Sequence, residues 1–176
     1  KWISQHISTP VRAHLAALER YKSADIFLIG AHVRMLRDQK ADIPGIEKLK
    51  KSSFNGLGLM YEAEEHRDKC HVRHFLPRIK AELQKVPKAA VFVTSDSQEA
   101  IDTLKDSLPR VPVFHTDTSK LLKCRGEERR GPFCSQLALS EFLFVSSTDV
   151  LLTSTWSSVT DLITRLHEGG QSSGCE

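Results

Sequence analysis

Two short apolar runs, Ile26 to Val33 and Ala89 to Thr94, constrain the fold of this chain more than any other feature. Each is rich in β-branched residues, and each gives way at once to polar ones. Runs of this length are too short for free-standing helices. Their lack of polar–apolar alternation means that both faces are covered, which is the pattern of a buried parallel strand. Val111 to Phe114 and Asp149 to Thr153 read as a third and a fourth strand. Between the strands lie stretches with helical character: Tyr61 to Lys85, with Pro77 marking where it would break; Gln98 to Leu108, with N-cap chemistry in Ser95-Asp96-Ser97; and Cys134 to Phe144. A last apolar stripe, Val159, Leu162, Ile163 and Leu166, ends before Gly169. Ahead of the first strand, Ile3, Ile7, Val11, Leu15, Leu18 and Tyr21 recur at helical spacing. Strands alternating with helices predict an α/β fold, a mainly parallel sheet with helices on both faces.

A chain of 176 residues fits one domain, expected over residues 1–170, with 171–176 as a mobile tail. The net charge of +3 is too small for a general nucleic-acid binder, so any basic site must be local. The sequence has no run of about 18 apolar residues, which is the minimum for a membrane helix. It opens on Lys1 rather than Met, and a signal or anchor segment is expected upstream. The four cysteines, Cys70, Cys124, Cys134 and Cys175, form no CxxC pair, which argues against a zinc ribbon. Cys124 and Cys134 bracket a loop that a disulfide would close; reduced thiols are the alternative.

In a parallel α/β sheet, ligands bind beyond the carboxyl ends of the strands. That rule selects His32 to Asp38, Thr94 to Ser97, and Ser154 to Ser158. A guanidinium such as that of Arg34 matches a phosphate bidentately, and His32 can add a hydrogen bond to the same group. The plain alternative is a surface arginine pairing with Asp38 or Glu47. Thr153-Ser154-Thr155-Trp156-Ser157-Ser158 places hydroxyls beside the free amides of a helix start, a ready anion site; capping by Ser157 or Ser158 is the alternative. Among the acids, Asp96, Glu141 and Asp149 each lie near a strand, and a carboxylate can accept both donors on the Watson–Crick edge of guanine. His66, Cys70 and His74 repeat every four residues but span about 12 Å along a helix, too far for one metal ion. The loop with Lys120, Lys123, Arg125, Arg129 and Arg130 also carries Glu127 and Glu128 and reads as solvated.

In order, these pieces resemble the donor-binding domain of the fucosyltransferase superfamily, which includes the α1,6-, α1,2- and protein O-fucosyltransferases. Ile29-Gly30-Ala31-His32-Val33-Arg34 is similar to the family strand ending in His-x-Arg, and Val93-Thr94-Ser95-Asp96 to its second strand with an acidic turn. Gln136 to Ser146, followed by Leu151 to Ser158, is similar to the last block, with Glu141 where the family has Asp. The resemblance spans residues 26–166. It implies one Rossmann-like half of a GT-B fold, GDP-fucose as donor, no required metal, and inverting transfer to a glycan or glycoprotein hydroxyl. A second α/β domain, not present in this chain, would complete the cleft. The resemblance places Arg34, His32, Ser157 and Ser158 toward the diphosphate and Glu141 or Asp96 toward guanine. Asp42, ahead of Asp38, is the expected base, and the Golgi or endoplasmic reticulum lumen is the expected compartment, with membrane anchorage through the absent segment. The competing readings are a non-catalytic structural or carbohydrate-binding module of a larger assembly, and a cytosolic nucleotide-binding domain with free thiols.

Overall fold

In the computed structural model, the four expected strands align side by side and a fifth joins them. The structure describes residues 25–34, 71–116, 131–154, 158–167 and 172–173, together with the helical positions Arg12, Ala16, Glu19 and Arg20. The apolar stripe of the first amphipathic stretch, the basic loop, Cys70, Cys124 and Cys175 fall outside these residues, and with them the Cys124–Cys134 bridge. Cys134 itself is buried.

The strands are β1 (Phe27–Val33), β2 (Ala89–Ser95), β3 (Val113–His115), β4 (Val150–Thr153) and β5 (Ser172–Ser173). They lie in the order β3-β2-β1-β4-β5, and every neighbouring pair is parallel. The fold is therefore the Rossmann-like α/β sheet that the apolar runs predict. The edge strand β5 comes from the segment expected to be only a mobile tail. Ser172 pairs with Leu151 and Ser173 with Leu152.

Among the described residues, the helices that cover the sheet are α1 (Val72–Leu83), α2 (Gln98–Ser107), α3 (Pro132–Val145) and α4 (Ser158–Leu166). His71 caps α1, its Nδ1 accepting from the Arg73 amide at 3.2 Å. The helix then runs through Pro77 without the expected break. Pro132 opens α3 at a position where its fixed φ is preset for helix and its missing N–H costs nothing.

Because strand residues alternate between faces, the core divides in two. Ile29, Ala31, Val91, Val93 and Leu152 meet Val72, Phe75, Ile79, Ile101 and Leu104 of α1 and α2. Leu28, Ala90, Phe92 and Leu151 meet Phe144 and Val145 of α3 and Ile163 of α4. Here Phe92 and Phe144 pack edge to face with ring centroids 4.5 Å apart. Gly30 is needed on this second face, since a Cβ there would run into Thr148 Oγ1 and come within 2.9 Å of Val145 Cγ2. Overpacking of that kind costs about 1–3 kcal/mol. The α4 stripe sits differently from its sequence pattern. Ile163 is fully buried, but Leu162 and Leu166 are exposed, and the second inward residue is Thr160.

Candidate functional site

The strand order reverses direction of growth at β1: β2 and β3 lie to one side, β4 and β5 to the other. In open α/β sheets ligands bind beyond the carboxyl ends of the strands at such a switch point, here between β1 and β4. The α3/α4 face of the sheet changes character at that end. In register, His32 of β1 stands between Thr94 of β2 and Thr153 of β4. All three share the face of Leu28, Ala90, Phe92 and Leu151 below them. They are buried, with 6%, 6% and 2% of their surface exposed, so this is a polar rung inside the fold rather than a solvated edge.

Buried polar groups need partners. From β2, Thr94 Oγ1 donates to Glu141 Oε2 of α3 at 3.2 Å. Thr116, just beyond β3, gives the same carboxyl a second hydroxyl bond. Burial pushes the Glu141 carboxyl above its ordinary value of 4.5, and the hydroxyls of Thr116 and Thr94 offset this only in part. Among the described residues no basic side chain pairs with it. A buried carboxyl set among hydroxyls is costly to the fold.

From β1, His32 Nδ1 lies 3.2 Å from Thr160 Oγ1 of α4, and its ring meets Phe142 edge-on with centroids 6.4 Å apart. Burial, with the positive charge of Arg34 adding to it, lowers the His32 pKa from 6.5 to about 4. The ring is therefore neutral at physiological pH and brings no charge to an anion. Arg34 is the cation here, half-buried directly after β1, with its Nε atom shielded from solvent. Its amide donates to Ser154 Oγ at 2.9 Å, joining the two expected site segments across 120 residues of sequence.

Asp96 follows β2 at the same end of the sheet but is exposed, while the N-cap of α2 is Ser97. Asp149 lies at the opposite, amino end, where its Oδ2 accepts from the Leu28 amide at 2.7 Å and its own amide donates to Leu28 O. That bond ties β4 to β1, which takes Asp149 out of the acid set. Ser158 is the first residue of α4. Ser157, Asp38 and Asp42 lie outside the described residues, as do His66 and Cys70. His74 accepts from Arg73 Nε at 3.1 Å on an exposed surface. Sequence reasoning missed Thr116 and Thr160. Each is a threonine whose value is fixed by a partner far along the chain, so neither leaves a local signal. A polar residue on the inward side of α4 is the nearest thing to one.

No protein-family model matches the sequence, and no curated protein matches it. Solved structures do match in shape. The protein POFUT1 in complex with GDP superposes with a TM-score of 0.53 at 14% identity, over 96% of this chain and 46% of that one. The α-1,6-fucosyltransferase NodZ soaked with GDP-fucose gives 0.52 at 18% identity, over 91% of this chain and 42% of that one. NodZ from Bradyrhizobium gives 0.52 at 20% identity, with the same coverage of 91% and 42%. The fold is thus fucosyltransferase-like, and this chain spans less than half the length of each of these neighbours.

Proposed function

We propose that this domain binds a guanosine diphosphate sugar, GDP-fucose, across the carboxyl ends of β2, β1 and β4, and transfers fucose with inversion to a glycan or protein hydroxyl. The observation that carries the reading is Glu141, a buried carboxyl set among hydroxyls on a polar rung at the sheet's switch point. As a carboxylate it would accept the paired N–H donors of guanine. Arg34, next to the rung on β1, would bind the diphosphate, and the hydroxyls of Ser157 and Ser158 at the start of α4 would meet the same phosphates. Asp96, at the same end of the sheet, is the second candidate for contacting guanine. The structural neighbours, crystallised with GDP or GDP-fucose, support the donor class.

In this reaction a carboxylate, Asp42 or else Asp38, removes the proton of the acceptor hydroxyl. The oxygen then attacks the anomeric carbon, the bond from that carbon to the diphosphate breaks, and GDP leaves with its charge stabilised by Arg34. The proposed chemistry uses no metal ion. The acceptor would lie against a second wall supplied by another α/β domain. The lumen of the secretory pathway is the compartment this reading proposes.

The test is calorimetry with GDP, ADP and UDP. GDP should bind at least about tenfold tighter than ADP, the discrimination expected when a buried acceptor would otherwise be left unpaired. Glu141→Ala should erase that preference, and Arg34→Ala should weaken all three diphosphates alike. Equal affinity for GDP and ADP in the wild type, or no binding at all, would remove the reading.

A further inference from the structure

Ser154 is fully buried, and all of its polar groups are engaged. Its amide donates to His32 O at 2.9 Å, its Oγ accepts from the Arg34 amide at 2.9 Å, and its carbonyl accepts from Thr160 Oγ1 at 2.6 Å. The last of these bonds settles a proton. A threonine hydroxyl has one hydrogen, and a carbonyl oxygen can only accept. With its hydrogen directed at Ser154 O, Thr160 Oγ1 offers only a lone pair to His32 Nδ1, 3.2 Å away. Nδ1 must therefore carry the ring's proton, and in a neutral imidazole that leaves Nε2 bare.

We propose that Ser154 and Thr160 are positioning residues of the donor site, Thr160 holding His32 in the Nδ1–H tautomer and Ser154 fixing the backbone of Arg34. The four residues form a closed circuit across the switch point: His32 to Thr160, Thr160 to Ser154, and Ser154 back to both His32 and Arg34. Its consequence reverses the role expected for His32 from the sequence. A bare Nε2 accepts hydrogen bonds and repels a phosphate oxygen, which leaves Arg34 as the anion-binding side chain of this pair. The circuit is read from the protein alone. Its effect on ligand binding rests on the donor-site reading above.

The ring nitrogens of His32 report the tautomer directly in long-range ¹H–¹⁵N correlation spectra of the nucleotide-free protein at neutral pH. The wild type should show a protonated Nδ1 and an unprotonated Nε2. Thr160→Val, which keeps the shape and removes the acceptor, should lose that pattern, and Thr160→Ser should restore it. In parallel GDP titrations, Thr160→Val should bind about tenfold more weakly, the loss expected for one buried hydrogen bond, and Thr160→Ser within about twofold of wild type. A protonated Nε2 in the wild type overturns the proposal, as does an unchanged tautomer in Thr160→Val. The wild-type spectrum decides the point even if the valine variant does not fold. If the tautomer is as stated but GDP binds to none of the proteins, the circuit stands and the donor reading falls.

Discussion

The two faces of this sheet are built from the same strands and end differently. On the α1/α2 face β1 is apolar to its end, with Val33 fully buried beside Val72 and Phe75, and the polar residues that share its end of that face, Ser95 of β2 and His115 of β3, are only half-buried. On the α3/α4 face the apolar packing stops one rung early, and Thr94, His32 and Thr153 take over, bonded to Glu141 and Thr160. Solvent reaches Ser95 and His115 on the first face, but the rung on the second is buried and depends on protein partners. A buried polar group is costly unless it is paired, and here α3 and α4 supply the pairing through Glu141 and Thr160. The proposed donor would lie at this polar rung.

The sharpest way to break this contrast is to truncate the apolar part of the α3/α4 face. Phe92→Ala should cost about 3–5 kcal/mol, the usual range for emptying a buried aromatic site. Urea denaturation measures it, and a loss below about 1 kcal/mol would mean that this face is loosely packed throughout. A second, smaller effect tests the rung itself. The His32 pKa is lowered from 6.5 to about 4 by folding, so between those values the unfolded chain binds more protons. Stability is complete above pH 6.5 and falls as pH drops toward 4, by roughly 3 kcal/mol at 1.36 kcal/mol per pKa unit. His32→Gln should flatten that dependence relative to wild type in denaturation at pH 7 and pH 4.5. Equal pH profiles would place His32 in a solvated setting.

Glu141 should act in the opposite sense. Its pKa is raised on folding, so the folded state holds the extra proton and stability declines as pH rises through 4.5 toward the shifted value. Glu141→Gln, which removes the charge and keeps an acceptor, should therefore raise the melting temperature at pH 7 while weakening GDP. A lower melting temperature would make the carboxylate a stabilising structural group.

How much of this was legible depends on whether a residue's role is local. The runs around Ile29 and Val91 announce their strands because burial on both faces leaves only apolar residues. His32 and Arg34 are legible because a strand ends there, at the end of the sheet where ligands bind. Asp149 lies beside a strand too, but at its beginning, and only the direction of β4 separates a tie to Leu28 from a site acid. The pair Ser172–Ser173 carries no strand signature, since two serines close to Gly169 and Gly170 lack the apolar, β-branched run that marks the other strands. Thr160 is hidden among Val159, Leu162, Ile163 and Leu166, whose stripe suggests a different inward face. The helix turns Thr160 inward, where its hydroxyl meets His32 and Ser154, partners that sequence spacing cannot reveal.

The most direct test of the central idea is to titrate ¹⁵N-labelled protein with GDP and follow the backbone amide resonances. The account predicts that Thr94, His32, Arg34, Glu141 and Ser154 shift together and saturably, while Leu28 and Asp149 at the other end of the same strands stay still. Shifts centred on Leu28 and Asp149, or an unchanged spectrum at millimolar GDP, would contradict it.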